Sequence, residues 1–243
     1  MVPDRGRYPE LDAFRGLAVS MMIFFHFFVD LSFLGVEGPD PFSGPLRIIG
    51  LLTASLFIFI AGISAHIKAE KTTGTKKQAI SFLYRGGELI LIGIGITAVT
   101  WIYLGGQGYV VFGILSLIGT ALVLTPLFYK AGNYSLLVAA IISIVAFFVP
   151  LPHGPLWMAP GGIHPENFFS IDYTPLIPWL AVFLTGLSAG RIIYPKGEQR
   201  WIIGKIPRFF FPFTVIGKRS LLIYLVHQPV MILLISSLTG TGI

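Results

Sequence analysis

Residues 11–34 read LDAFRGLAVSMMIFFHFFVDLSFL. Twenty-four residues of helix are about 36 Å long at 1.5 Å per residue, which is enough to cross the roughly 30 Å hydrocarbon core of a bilayer. The run is almost wholly apolar, apart from four ionisable residues: Asp12, Arg15, His26 and Asp30. We therefore expect a membrane-spanning helix that carries chemistry inside the membrane, and retained in the mature protein because no signal-peptide cleavage site follows it.

The composition extends this reading to the whole chain. Of its 243 residues 54% are hydrophobic and only 12% are charged, whereas roughly a quarter of the residues of a soluble domain are charged. We predict an all-α, polytopic membrane helix bundle that forms one domain over residues 1–243. Its about seven transmembrane helices are expected at 14–34, 46–67, 87–104, 109–129, 134–151, 176–193 and 221–238.

The net charge is +6, and the positive residues lie mainly in the loops between the apolar runs. This distribution indicates membrane topology rather than a surface that binds nucleic acid. Positive residues fill the loop after the second span, while the loop before it holds Glu37 and Asp40. The positive-inside rule then places the N-terminus in the cytoplasm and the C-terminus outside, with the segment 199–213 along the interface. The absence of cysteine excludes disulfides and thiolate chemistry.

The ionisable residues of the first span share one face. At about 100° per residue, Asp12, Arg15, His26 and Asp30 fall within an arc of about 60°, and Arg15 lies about 16 Å from His26 along the axis. Such groups avoid lipid, so the face borders an internal cavity. Asp30 is placed to hydrogen-bond the His26 imidazole, as a general base requires. The alternative is that His26 and Asp30 only neutralise each other inside a bundle.

Four further segments accompany LDAFRGLA and its Arg-x10-His spacing: LFIFIAGIS at 56–64, FGIL at 112–115, DYTPLIPW at 172–179 and GKRSLLIYLVHQPV at 217–230. Together they resemble the transmembrane acyltransferase superfamily, which includes the acyltransferase-3 enzymes. More narrowly, the chain resembles the small prokaryotic form of the heparan-α-glucosaminide N-acetyltransferase catalytic domain family. The Arg-x10-His pattern follows the acyltransferase-3 branch, in which a histidine at the position of His26 is catalytic.

The resemblance implies transfer of an acetyl group from cytoplasmic acetyl-CoA to an amine or hydroxyl, often of a sugar, on the opposite side of the cell membrane. We expect His26 and Asp30 to be catalytic and no metal to be bound. Donor-binding candidates are Asp12, Arg15, Arg85, Arg219, His227 and Gln228. Acceptor-binding candidates are Asp172, Tyr173 and Trp179.

Several of these residues have a simpler reading. The basic residues could only set topology, Glu88 could pair with Arg85, and His227 could be satisfied by a neighbouring helix. Expected partners are membrane lipid, an extracytoplasmic acceptor such as a carbohydrate and a second copy of the chain, without nucleic acid. The alternative function is a transporter or flippase that uses the polar stripe as a substrate or proton pathway.

Overall fold

The computed structural model describes residues 8–199 and 207–240, and 76% of these residues are helical. Within this part of the chain there is no β-strand, so the predicted all-α membrane bundle is confirmed. The α-helices are α1 (Pro9–Phe33), α2 (Gly44–Lys71), α3 (Thr75–Tyr103), α4 (Ile114–Lys130), α5 (Tyr134–Phe148), α6 (Leu176–Ile193), α7 (Phe211–Lys218) and α8 (Ser220–Thr239).

Five of these helices, α1, α2, α3, α6 and α8, are long and apolar enough to cross a membrane. Helices α4 and α5 are apolar but shorter, with 17 and 15 residues. The seven spans and the cytoplasmic N-terminus stay predictions.

Several predicted boundaries differ from the structure, among them the starts of α3 and α4. Helix α3 begins at Thr75, twelve residues before the predicted span, because Lys76, Lys77 and Arg85 favour a helix although they are not apolar. Helix α4 begins at Ile114 rather than at 109, because the preceding backbone pairs with another loop through a bridge between Phe112 and Tyr173.

The predicted interfacial segment 199–213 is described only in part, since residues 200–206 lie outside the described ranges. A 3₁₀ turn forms at Arg208–Phe210, and α7 then begins at Phe211. The end of the predicted segment is therefore helical.

The chain divides into two compact units. Unit 1 comprises Met1–Phe57 and Ile203–Ile243, and unit 2 comprises Ile58–Ile202. Helix α2 contributes residues to both units.

In unit 1, α1 packs against α7 and α8. Glycine permits the close approach of α1 and α7: a Cβ on Gly16 would overlap the Phe213 carbonyl, and a Cβ on Gly217 would overlap the Asp12 carbonyl. Small residues commonly allow backbones to meet in membrane bundles, where packing rather than hydrophobic burial holds helices together. The first turn of α1, with Pro9 at its start followed by Glu10 and Asp12, suits a helix N-terminus.

Unit 2 is organised around α6. Helix α6 packs against α4 and α5, and α3 packs against α4. The same use of glycine brings α2 and α6 together, because a Cβ on Gly62 or Gly186 would overlap a carbonyl of the other helix. Phe183 and Leu184 of α6 are fully buried.

Arg191, at the end of α6, closes the C-terminus of α4. Its guanidinium donates to the carbonyls of Phe128 (3.2 Å), Tyr129 (3.1 Å) and Gly132. The last carbonyls of a helix have no partner within the helix, so this cation satisfies them and complements the helix dipole. Arg191 therefore joins α4 to α6 within unit 2.

The close approach of α1 and α7 predicts that Gly217→Ala destabilises the protein by about 1–3 kcal/mol, because the added methyl group must displace backbone. Thermal unfolding of the purified protein in detergent measures the change. The matched control is Gly95→Ala in α3, where a Cβ meets nothing within 4 Å. Equal stability of the two variants would contradict the packing described for Gly217.

Candidate active site

The predicted site residues fall in both units. Those in unit 1 are Asp12, Arg15, His26, Asp30, Arg219, His227 and Gln228. Those in unit 2 are Arg85, Asp172, Tyr173 and Trp179. The structure brings four of the unit 1 residues together where α1 meets α8: His26 with His227, and Asp30 with Gln228.

The His26 imidazole is held by its own helix. Its Nδ1 lies 2.9 Å from the carbonyl oxygen of Met22, one turn earlier in α1. A carbonyl oxygen can only accept, so Nδ1 must carry the proton in this bond. In the neutral ring the lone pair then lies on Nε2, which is the nitrogen available for acid–base chemistry.

Asp30 does not bond to His26, contrary to the expectation from their i,i+4 spacing. Its Oδ1 accepts a hydrogen bond from Nε2 of Gln228 in α8. Helical side chains lean towards the N-terminus, so the His26 ring turns towards Met22 and away from Asp30. Asp30 is 3% exposed, and its second oxygen, Oδ2, is buried with no hydrogen-bond partner among the residues that the structure describes.

His227 repeats the arrangement of His26 on the other helix. Its Nδ1 lies 2.6 Å from the carbonyl oxygen of Tyr224, so this nitrogen also carries the proton and the neutral ring has its lone pair on Nε2. The His26 and His227 rings meet edge to face with centroids 5.0 Å apart. Two imidazoles of the same tautomer therefore lie side by side.

Asp12 and Arg15 form an ion pair at the other end of α1. Arg15 Nη1 lies 2.8 Å from Asp12 Oδ1. The Asp12 side chain is 5% exposed and that of Arg15 is 31% exposed, so the carboxylate lies beneath a guanidinium that retains access to its surroundings. A carboxylate repels anionic ligands, and Asp12 is better placed to orient Arg15 than to bind a phosphate itself.

The remaining basic candidates are exposed. Arg85 forms an ion pair with Glu88 at 2.7 Å, as anticipated, and both side chains are well exposed. Arg219 is exposed at the junction of α7 and α8. Exposed pairs of this kind contribute little to stability.

The acceptor candidates of unit 2 have structural contacts of their own. Asp172 Oδ2 accepts from the backbone N–H of Ile114 at 3.3 Å, which satisfies one free donor at the start of α4. The Tyr173 hydroxyl donates to the Ala159 carbonyl at 2.8 Å, and burial raises the pKa of this hydroxyl. Trp179 is half-buried in α6. Tyr173 also touches the rings of His164 and Phe168, which leaves an aromatic and carboxylate surface in these loops.

Unit 2 contains a polar cluster that the sequence pattern did not predict. Tyr129 donates to Glu70 at 2.7 Å, and the His66 ring, which is fully buried, lies 3.1 Å from the Tyr194 carbonyl. A histidine within an apolar run was the available signal, but the two hydrogen bonds of the cluster join residues that are 59 positions apart (Glu70 and Tyr129) and 128 positions apart (His66 and Tyr194). Among residues 8–199 and 207–240, no three His, Cys, Asp or Glu side chains group together as metal ligands would.

Apolar helices of membrane-spanning length, with ionisable side chains on the first of them, define an integral membrane protein with a polar site inside the bundle. The chain belongs to the heparan-alpha-glucosaminide N-acetyltransferase catalytic domain family, whose sequence model matches residues 7–229. The match runs through both units. The protein is thus a multi-pass transmembrane acetyltransferase by family. A comparison with curated proteins gives no match.

The Asp30–Gln228 bond predicts that Gln228→Leu lowers the free energy of unfolding by about 1–2 kcal/mol, since it leaves a buried carboxyl group without its donor. Adding Asp30→Leu should recover much of this loss, because no orphaned polar group then remains. Thermal unfolding in detergent measures both effects.

The matched control on α8 is Ser237→Ala, whose hydroxyl donates within its own helix to the Leu234 carbonyl. Two results would show that the bond does not join α1 to α8 as described. One is a loss of stability in Gln228→Leu no larger than that in Ser237→Ala, and the other is a double variant less stable than Gln228→Leu alone.

Proposed function

We propose that the protein transfers the acetyl group of cytoplasmic acetyl-CoA to an amine or hydroxyl acceptor on the other side of the cell membrane, with residues 1–243 acting as one acyltransferase domain. The acetyltransferase activity follows from the family, and acetyl-CoA is the family's general donor. The proposal adds the side of the membrane on which each substrate lies. This assignment rests on the cytoplasmic N-terminus predicted from the basic loops.

The observation that carries the proposal is the separation of two different chemical groups, Arg15 and His26, along α1. Arg15, oriented by Asp12, lies near one end, and His26 lies about 16 Å further along the same rigid helix. A guanidinium binds phosphate oxygens well, whereas an imidazole accepts and donates protons near neutral pH. The two groups suit a donor whose charged part is remote from its reacting thioester.

His26 supplies the acid–base chemistry in this proposal. Its Nε2 removes the proton from the acceptor as the amine or hydroxyl attacks the thioester carbonyl, a contribution of about 10²–10⁴ in rate. Holding both substrates in register supplies much of the remainder. A covalent acetyl-histidine route would use the same nitrogen.

The other candidates support binding. In unit 1, Arg15 with Asp12 beneath it and Arg219 would attract the phosphates of the donor. Arg85, in unit 2, is an exposed cation that is proposed, separately, to attract phosphate. Asp30 would support His26 indirectly, because its bond to Gln228 holds α8 against the part of α1 that carries His26.

The acceptor is proposed to be a sugar or an envelope glycan. Asp172, Tyr173 and Trp179 offer a carboxylate, a hydroxyl and aromatic faces, which are the groups that recognise carbohydrate. Membrane lipid surrounds the helices, and a homodimer in the bilayer stays a prediction. A transporter or flippase would use the same polar stripe, but the acetyltransferase family favours acyl transfer.

His26→Gln is expected to lower the release of CoA thiol from acetyl-CoA at least about 10²-fold, because it removes the base and keeps a polar side chain. Binding should survive: acetyl-CoA at about 100 times its Kd stabilises a protein by about 2.7 kcal/mol, which a thermal shift detects in the wild type and in the variant. The control is Phe24→Ala on the exposed face of α1.

Full activity of His26→Gln would exclude His26 as base and as acetyl carrier. An absence of thermal protection of the wild type by acetyl-CoA would exclude this donor.

A further inference from the structure

The histidine pair lies beside the buried carboxyl group of Asp30, which forms no ion pair with any residue in 8–199 or 207–240. Asp30 accepts its hydrogen bond from the Gln228 amide, which carries no charge, and Gln228 directly follows His227 in α8. A charge inside a membrane bundle is costly unless an opposite charge lies near it. A single extra proton on the imidazole pair would balance Asp30, so the site is suited to hold one imidazolium and one neutral imidazole.

We propose that His227 is a second catalytic residue, which protonates the sulfur of CoA as it leaves. The inference rests on the proposed function, since it takes acetyl-CoA as the donor and His26 as the base. The two imidazoles then have different roles in one reaction. His26 takes the proton of the attacking acceptor, and His227 gives a proton to the leaving group.

The geometry of the rings supports this division. Each ring is fixed by a carbonyl of its own helix, at 2.9 Å for His26 and 2.6 Å for His227, so each has Nε2 as its exchangeable position. The centroids are 5.0 Å apart, close enough for both rings to line the same reacting centre. The ring of Tyr224 also lies against His227, with centroids 5.8 Å apart.

The step balances with one proton held by the pair. At the start Nε2 of His26 is unprotonated and Nε2 of His227 carries the proton. The acceptor oxygen or nitrogen forms a bond to the acetyl carbonyl carbon and gives its proton to His26. The carbon–sulfur bond breaks, and the sulfur takes the proton of His227. The products are the acetylated acceptor and CoA thiol, and a proton transfer from His26 to His227 restores the starting state.

The Asp30–Gln228 bond positions this second acid. It joins α1 to α8 one residue from His227, and hence keeps the two rings in contact. Pro229 follows Gln228 and has no N–H to donate, so the helix hydrogen bonding of α8 is weakened at this point and a contact between helices has more influence on the position of His227.

The test compares two donors that differ only in the leaving atom: acetyl-CoA and acetyl-seleno-CoA, with water as the acceptor and full-length protein in detergent. A selenolate leaves near pH 7 without a proton, whereas the thiolate needs one. His227→Gln should lower the release of CoA thiol about 10²-fold and change the release of the selenol less than about threefold. His26→Gln, which removes the base, should slow both donors alike.

His227→Asn, a smaller amide, is measured in parallel and should show the same selectivity for the leaving atom. A loss of similar size with both donors would show a merely structural role for His227, and unchanged release of CoA thiol would show no role. Either result overturns the inference and leaves the proposed function standing. Failure of the wild type to release CoA from acetyl-CoA would instead remove the proposed function and this inference together.

Discussion

The hydrogen bond between Asp30 and Gln228 is the interaction on which the site depends. It links residues 198 positions apart in sequence, and the Asp30 side chain that accepts it is buried. A carboxyl group on a membrane-spanning helix must find a partner on another helix, so the requirement to satisfy Asp30 brings α8 against α1. The contact between His26 and His227 follows, because each histidine lies within one turn of a member of this bond.

Helix α1 combines the structural and the chemical demands of unit 1. Gly16 lets α7 approach one part of it, Asp12 orients Arg15, and His26 meets α8 further along. A rigid helix holds these groups at fixed separations, which a loop would not do as well. In unit 2, Arg191 at the end of α6 has a comparable structural role, because it donates hydrogen bonds to the last carbonyls of α4.

The apolar runs were sufficient to predict helices α1 to α6 and α8, because each bilayer-crossing segment must satisfy its backbone internally, but they did not predict α7. Helix α6 begins and ends at the predicted residues, and α8 differs by one residue at each end. The start of α4 was missed because Asp172 and Tyr173, far away in sequence, determine it. Likewise the stripe of α1 showed that Asp30 needs a partner, but only the direction of the His26 ring shows that the partner is Gln228.

The central claim is that two imidazoles of the same tautomer face each other between α1 and α8. Nitrogen NMR of protein labelled with ¹⁵N at histidine, assigned through His26→Gln and His227→Gln, tests it most directly. Both rings should have a protonated Nδ1, with any additional proton of the pair on Nε2. A neutral His26 or His227 that carries its only proton on Nε2 would contradict the carbonyl bonds that fix the site.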